Sequence, residues 1–174
     1  MLTYEDALFH KLLLEAGVTN EFAPLIDRML AEEEPLSDLA LELAYSGADA
    51  NKQLAALNAF LSRASEISVD MNEVYAKLIG YFRSRYELAP DDVDALVGAM
   101  YRVGMNPEYA YDNWPQLWTC SDYYILSLDG VIAPDKFKAY LLSILYGGEC
   151  IDPWEPHRKP GLIERLKALM NGRQ

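Results

Sequence analysis

Reactive chemistry in this chain would have to come from two histidines, two cysteines and a surplus of carboxylates. His10 stands four residues after Asp6 at helical spacing, which reads as a charge pair on a solvated helix face. His157 falls in Trp154-Glu155-Pro156-His157-Arg158-Lys159, whose composition is that of an exposed loop. Asp91, Asp92 and Asp94 resemble a metal cluster until a helix is drawn through them. All three are then expected in its first turn, where negative charge meets the positive end of the dipole. Cys120 and Cys150 are thirty residues apart, and a chain of this length needs no cross-link, so both are expected as buried thiols. No Gly-rich phosphate loop, GxSxG, HExxH, SxxK, EF-hand loop or closely spaced Cys/His set is present. The expectation is a protein without enzymatic chemistry, cofactor or metal.

Charge is more informative. The net charge is -12 and the pI about 4.5, a balance that repels nucleic acid and anionic lipid. Residues 1 to 49 hold eleven acids and two bases, and residues 87 to 130 hold eight acids and one base, Arg102. The second acidic block is also rich in aromatics: Tyr109, Tyr111, Trp114, Trp118, Tyr123 and Tyr124 stand among Glu108, Asp112, Asp122 and Asp129. Large amphipathic rings rimmed by acids suit a basic protein partner. Stacking on single-stranded nucleic acid would need a basic groove, and this stretch is acidic.

Part of that aromatic mass is expected to be core. Leu117, Ser121, Tyr124 and Leu128 form one stripe, with Trp118 and Ile125 beside it. Trp114, Tyr109, Tyr111 and Tyr123 are left as the rings expected at the surface. The expected partner-binding set is therefore Glu108, Tyr109, Tyr111, Asp112, Trp114, Asp122 and Tyr123, together with Glu32, Glu33 and Glu34 of the first block.

These groups must be carried by helices, because no segment alternates as a strand does. The chain reads as all-α, a single domain over residues 1–174, with eight or nine helices built on antiparallel hairpins. Its expected organiser is the hairpin Leu36 to Ser65, turning at Ser46-Gly47-Ala48-Asp49. Leu36, Leu39 and Leu43 make the stripe of one arm; Ala50, Leu54, Leu57, Leu61 and Ala64 make that of the other. Ala40, Ala44, Ala55, Ala56 and Ala59 would let the two axes approach closely. Before the hairpin, Thr3 with Asp6 forms a capping box on a first helix with a broad apolar face of Leu8, Phe9, Leu12 and Leu13, ended by Gly17. A second helix starts after Thr19 or Asn20, tolerates Pro24 in its first turn, and closes at Glu32-Glu33-Glu34-Pro35.

After the hairpin, Asp70 with Glu73 caps a helix through Tyr86. Pro90, Pro115 and Pro134 each open a further one at the first helical position, ended by Gly104, Asp129-Gly130 and Gly147-Gly148 respectively. A short helical turn is expected after Pro107. Residues 149–161 are too proline-rich for regular structure and should run over the surface, and Leu162 to Met170 makes a last helix. Ala89-Pro90-Asp91 with Gly104 recurs forty-four residues later as Ala133-Pro134-Asp135 with Gly148. That spacing leaves a short HEAT- or armadillo-like repeat as the alternative architecture.

The acidic start lacks the basic-then-apolar pattern of a secretory signal, and no run approaches the ~18 apolar residues of a membrane span, so the expected compartment is the cytosol. A small acidic domain without chemistry of its own has the profile of an immunity or antitoxin-type inhibitor of a nuclease, whose cleft is cationic in order to hold phosphates. The alternatives are a helical enzyme or small-ligand or metal binder with a pocket between helices, and a helical-repeat adaptor.

Overall fold

Twelve residues near the start, Tyr4–Glu15, form α1, and both ends are set by local hydrogen bonds. Thr3 Oγ1 accepts from the Asp6 amide at 3.1 Å while Asp6 Oδ2 accepts from the Thr3 amide at 3.3 Å, which completes the capping box. At the other end Gly17 has φ of 78°, Val18 N–H donates to Leu13 and Gly17 N–H to Leu14, a Schellman closure that a side-chain-bearing residue would enter only with strain. The computed structural model describes residues 2–19, 22–63, 68–148 and 152–154.

Among the described residues seven further helices follow: α2 (Phe22–Glu32), α3 (Asp38–Ser46), α4 (Ala50–Ser62), α5 (Met71–Leu88), α6 (Val93–Gly104), α7 (Pro115–Leu128) and α8 (Pro134–Tyr146). No strand occurs among the described residues, and the molecule is an all-helical bundle. The hairpin forms as α3 and α4, with Gly47 at φ of 56° in its turn and Asp49 Oδ1 accepting from the Asn51 and Lys52 amides. The buried Gln53 amide donates to the Gly47 carbonyl and ties that turn to α4. Leu39, Leu43, Ala40, Ala56 and Leu57 are buried, but Leu36 precedes α3 and is exposed, and Ala55 and Ala59 face outward. Ala64 and Ser65 lie outside the described residues.

The organising element is α1, not the hairpin. It packs on α4, α5 and α6, and Ala7, Leu8, His10, Lys11, Leu12, Leu13 and Leu14 are all buried. Two cores meet on it. Leu8, Leu12 and Leu13 join Val74, Leu78, Phe82, Met100 and Leu117 on one side, whereas Leu2, Ala7 and Leu14 join Phe22, Met29, Leu43 and Leu57 on the other. Three consecutive leucines cannot share one helical stripe, since each advances by about 100°, and here all three find apolar neighbours.

Other boundaries differ for identifiable reasons. Pro90 does not open α6: Asp92 N–H donates to the Ala89 carbonyl, so Pro90 is the second residue of a turn and the helix starts three residues later. Only Asp94 of the three neighbouring aspartates then lies inside the helix. Pro134, by contrast, stands at the first helical position of α8, so the forty-four-residue echo does not reproduce one local structure. After Pro107 the chain makes short turns with helical hydrogen bonds, Ala110 N–H donating to the Asn106 carbonyl and Trp114 N–H to that of Ala110, but no helix of greater length. Cys120 is buried, and Cys150, His157 and the expected helix Leu162 to Met170 lie outside the described residues. Of the expected loop 149–161 only 152–154 are described, and Pro153 there is buried. Among the described residues no helix is long and apolar enough to cross a membrane.

Candidate protein-binding surface

The turn between α6 and α7 is built by Asn106. Its Oδ1 accepts from the Glu108 and Tyr109 amides at 3.0 and 3.1 Å, and its Nδ2 donates to Glu15 Oε2 at 2.8 Å, which pins the turn to the end of α1. Glu108 and Tyr109 are thereby brought over Lys11, a lysine that is only 4% exposed. Lys11 Nζ lies 3.0 Å from Glu15 Oε1, 3.4 Å from Glu108 Oε2 and 4.8 Å from the centre of the Tyr109 ring. Burial, reinforced by the neighbouring Glu108, pushes the Tyr109 hydroxyl up to about 12. Glu108 and Tyr109 therefore serve to hold a buried ammonium, and one carboxylate of each acidic block meets there. Replacing both, Glu15→Gln with Glu108→Gln, is expected to cost about 1–2 kcal/mol, since it strands Lys11 while the carboxylates it removes are partly in water. Either change alone should cost less than half as much. Urea denaturation of the three variants checks this; equal stability throughout would mean that Lys11 reaches solvent.

Of the rings expected at the surface, one is inside and another is half-buried. Trp114 is 5% exposed, because at the N-cap position of α7 its ring turns back to within 5.4 Å of Tyr75 rather than outward. Gln116 Nε2 donates to the Tyr75 hydroxyl at 2.7 Å beside it. Tyr123 is half-buried against Tyr140 of α8, and its hydroxyl donates to Asp152 Oδ1 at 2.7 Å. The same oxygen accepts from the Trp154 amide at 2.9 Å, and the Trp154 ring remains exposed.

Tyr111, Asp112 and Asp122 do reach the surface. Tyr111, 42% exposed, stacks on Trp118 with ring centres 5.5 Å apart and planes 10° from parallel, and Trp118 Nε1 donates to the Tyr111 carbonyl at 3.3 Å. Trp118, Asp122, Ile125 and Asp129 then follow at four- and three-residue steps along the outer face of α7. Leu128, expected on the core stripe, and Ile125, expected beside it, are exposed, the former by 68%. The reason is that α7 packs on α6 and α8 through Leu117 and Cys120, a stripe rotated from the expected one.

Glu32, Glu33 and Glu34 are not part of this surface. Ser37 donates to Glu33 Oε2 from its hydroxyl at 2.6 Å and its amide at 3.3 Å. Burial raises the Glu33 pKa, and Ser37 helps to carry it below the ordinary carboxylate value. Glu32 and Glu33 border the Asp6 end of α1, whereas Glu108 borders the Glu15 end. Nine residues of helix place those ends about 14 Å apart.

Two contributors were not legible as such. Gly104 reads only as a helix stop, yet a Cβ there would meet Leu117 Cβ and the Trp118 amide nitrogen at 2.8 Å, so the glycine permits the close contact of α6 with the α7 turn that carries Trp118. Trp118 reads as a ring beside the core stripe and is half-buried, and its stacking depends on where Tyr111 is brought. Among the described residues no group of three or more His, Cys, Asp or Glu side chains could hold a metal ion. No family model matches the chain, and no match was found among curated proteins or among solved structures.

Proposed function

We propose that the protein is a non-catalytic binding module of the cytosol whose α7 ridge docks a basic protein, most concretely the cationic cleft of a nuclease toxin that it inhibits. The observation that carries this reading is the stack of the exposed Tyr111 on the half-buried Trp118, bordered by Asp112 and Asp122. It sits in a stretch of 33 residues, 103–135, that contains five acids and no lysine or arginine. Stacked rings offer rigid contact area at low entropic cost, and the carboxylates would steer a cationic surface toward them. Glu32 and Glu34, exposed at the other end of α1, would add to long-range attraction and not to the contact itself.

The test is capture from the native cell extract by the wild-type protein, by Tyr111→Ala and by Asp112→Lys with Asp122→Lys. A basic nuclease is expected on the wild type, inhibited by it, with binding reduced roughly thirtyfold by Tyr111→Ala and by rising salt. Asp112 and Asp122 are exposed, so the double lysine variant should melt as the wild type does, and Tyr111→Ala, which loses the stack on Trp118, should remain folded with a melting temperature only a few degrees lower. A ligand with an acidic surface, or one held equally by all three proteins, would remove the proposal.

A further inference from the structure

On the face of α1 away from Lys11, α2 and α5 stand on either side of the helix and leave a groove between them of about 580 Å³, within the size range of small-molecule sites. Its floor is α1, contributing Asp6, Phe9 and His10, and its walls carry Arg28 from α2 with Lys77 and Arg85 from α5. In a chain of net charge -12 this is a local excess of cations. Lys77 is occupied by Asp6 at 2.9 Å and Glu73 at 3.2 Å. Among the described residues neither the Arg28 nor the Arg85 guanidinium makes a hydrogen bond or an ion pair.

Two further observations point to an occupant. His10 is only 8% exposed, and its Nδ1 has no hydrogen-bond partner among the described residues. A buried polar atom left so is rare and costly in a folded protein unless something else satisfies it. Gly80 lies in the interior of α5, where glycine is unfavourable, yet a Cβ there would meet nothing within 4 Å. Packing does not require the glycine; its effect is to leave the groove open.

The geometry points to a binding site for a small phosphate monoester with a flat apolar body: Arg28 and Arg85 border the groove as the cations for its phosphate, and Phe9, Leu25 and Tyr81 border it as the surface for its body. Guanidinium forks match phosphate oxygens, and two of them suit the near-dianionic charge of a monoester better than the single charge of a carboxylate. The apolar residues along the same groove would add contact area that a bare ion cannot use. This site lies apart from the α7 ridge and does not depend on its function.

Phenyl phosphate is the probe, titrated by calorimetry into the full chain, with inorganic phosphate and phenol as the two halves. Saturable binding of phenyl phosphate with a Kd below about 1 mM is expected, at least about tenfold tighter than either half. Arg28→Gln and Arg85→Gln should each weaken it by about tenfold or more. Gly80→Met, which fills the groove and keeps every cation, should remove binding without lowering the melting temperature. The imidazole NMR signals of His10 should shift on addition of phenyl phosphate to the wild type and not to Gly80→Met. No saturation in that range, inorganic phosphate binding as tightly as phenyl phosphate, or unaltered binding by Gly80→Met or by both arginine variants would overturn the assignment.

Discussion

Gly104→Val is expected to destabilise the protein by about 3 kcal/mol and to lower its melting temperature by roughly 6–12 °C. Even an alanine Cβ at this position would stand 2.8 Å from Leu117 Cβ and from the Trp118 backbone nitrogen, and 3.2 Å from the Leu117 carbonyl carbon. Two of those three atoms are backbone, so the strain cannot be relieved by swinging a flexible side chain. Valine adds two methyl groups to the collision. The gain in helix propensity on replacing glycine, under 1 kcal/mol, offsets only part of that. Gly80→Ala is the internal control: with nothing within 4 Å of its Cβ, it should stabilise by about 1 kcal/mol. Thermal and urea unfolding of the two variants beside the wild type would show opposite signs. A Gly104→Val protein as stable as Gly80→Ala would mean that α6 and α7 separate without cost.

Acidification from pH 7.5 to pH 4.5 is expected to remove about 2–3 kcal/mol of stability through His10 alone. Burial holds its folded pKa down at about 4 against an ordinary 6.5; Asp6 works in the opposite direction, and Arg28 and Lys77 reinforce the depression. Between those two values the unfolded chain binds a proton that the folded chain refuses, so stability rises with pH across that interval. The contribution is fully present above about pH 6.5 and is lost as pH falls through about 4. Glu5, Asp6 and Glu33 have lowered pKa values as well, and their contributions are lost at the acidic end of the range. His10→Phe separates the two effects. It removes the titrating ring from its place between Phe9 and Phe22 and leaves the carboxylates, so the difference between its urea midpoints at pH 7.5 and 4.5 should be much the smaller. Parallel losses in the two proteins would exclude His10 as the source.

His10 shows where a local pattern misleads. Its spacing from Asp6 is that of a charge pair on a wet helix face, but α2 brings Phe22 over the ring, and the carboxylate of Asp6 is taken by Lys77 from α5. Neither event has a sequence signal near residue 10. Trp114 is buried for a similar reason, since its ring, at the N-cap of α7, finds Tyr75, thirty-nine residues earlier, as its neighbour. The α7 ridge was half legible. Tyr111, Asp112 and Asp122 could be named from composition, whereas the stack on Trp118 and the exposure of Ile125 and Leu128 depend on which face of α7 meets α6 and α8.

The groove beside His10 had almost no linear signature. Arg28 and Arg85 are fifty-seven residues apart in a chain whose overall charge points the other way, and they face one space because α1 holds α2 and α5 on either side of it.

What the amino-acid order determined by itself is the set of helices and most of their ends. Thr3 with Asp6, Asp49, Asp70, Pro115 and Pro134 act through hydrogen bonds or backbone restrictions spanning three or four residues, and such short-range physics is complete within the segment that shows it. Tertiary structure alone decided that α1 and not the α3–α4 hairpin lies at the centre, that Lys11 is buried between acids from two distant blocks, and that the acids of α2 stand apart from those before α7. Those outcomes depend on which apolar face finds which partner. Leu12, Leu13 and Leu14 advertise burial on several sides, but a hydrophobic side chain carries no address, and only the packed chain assigns one.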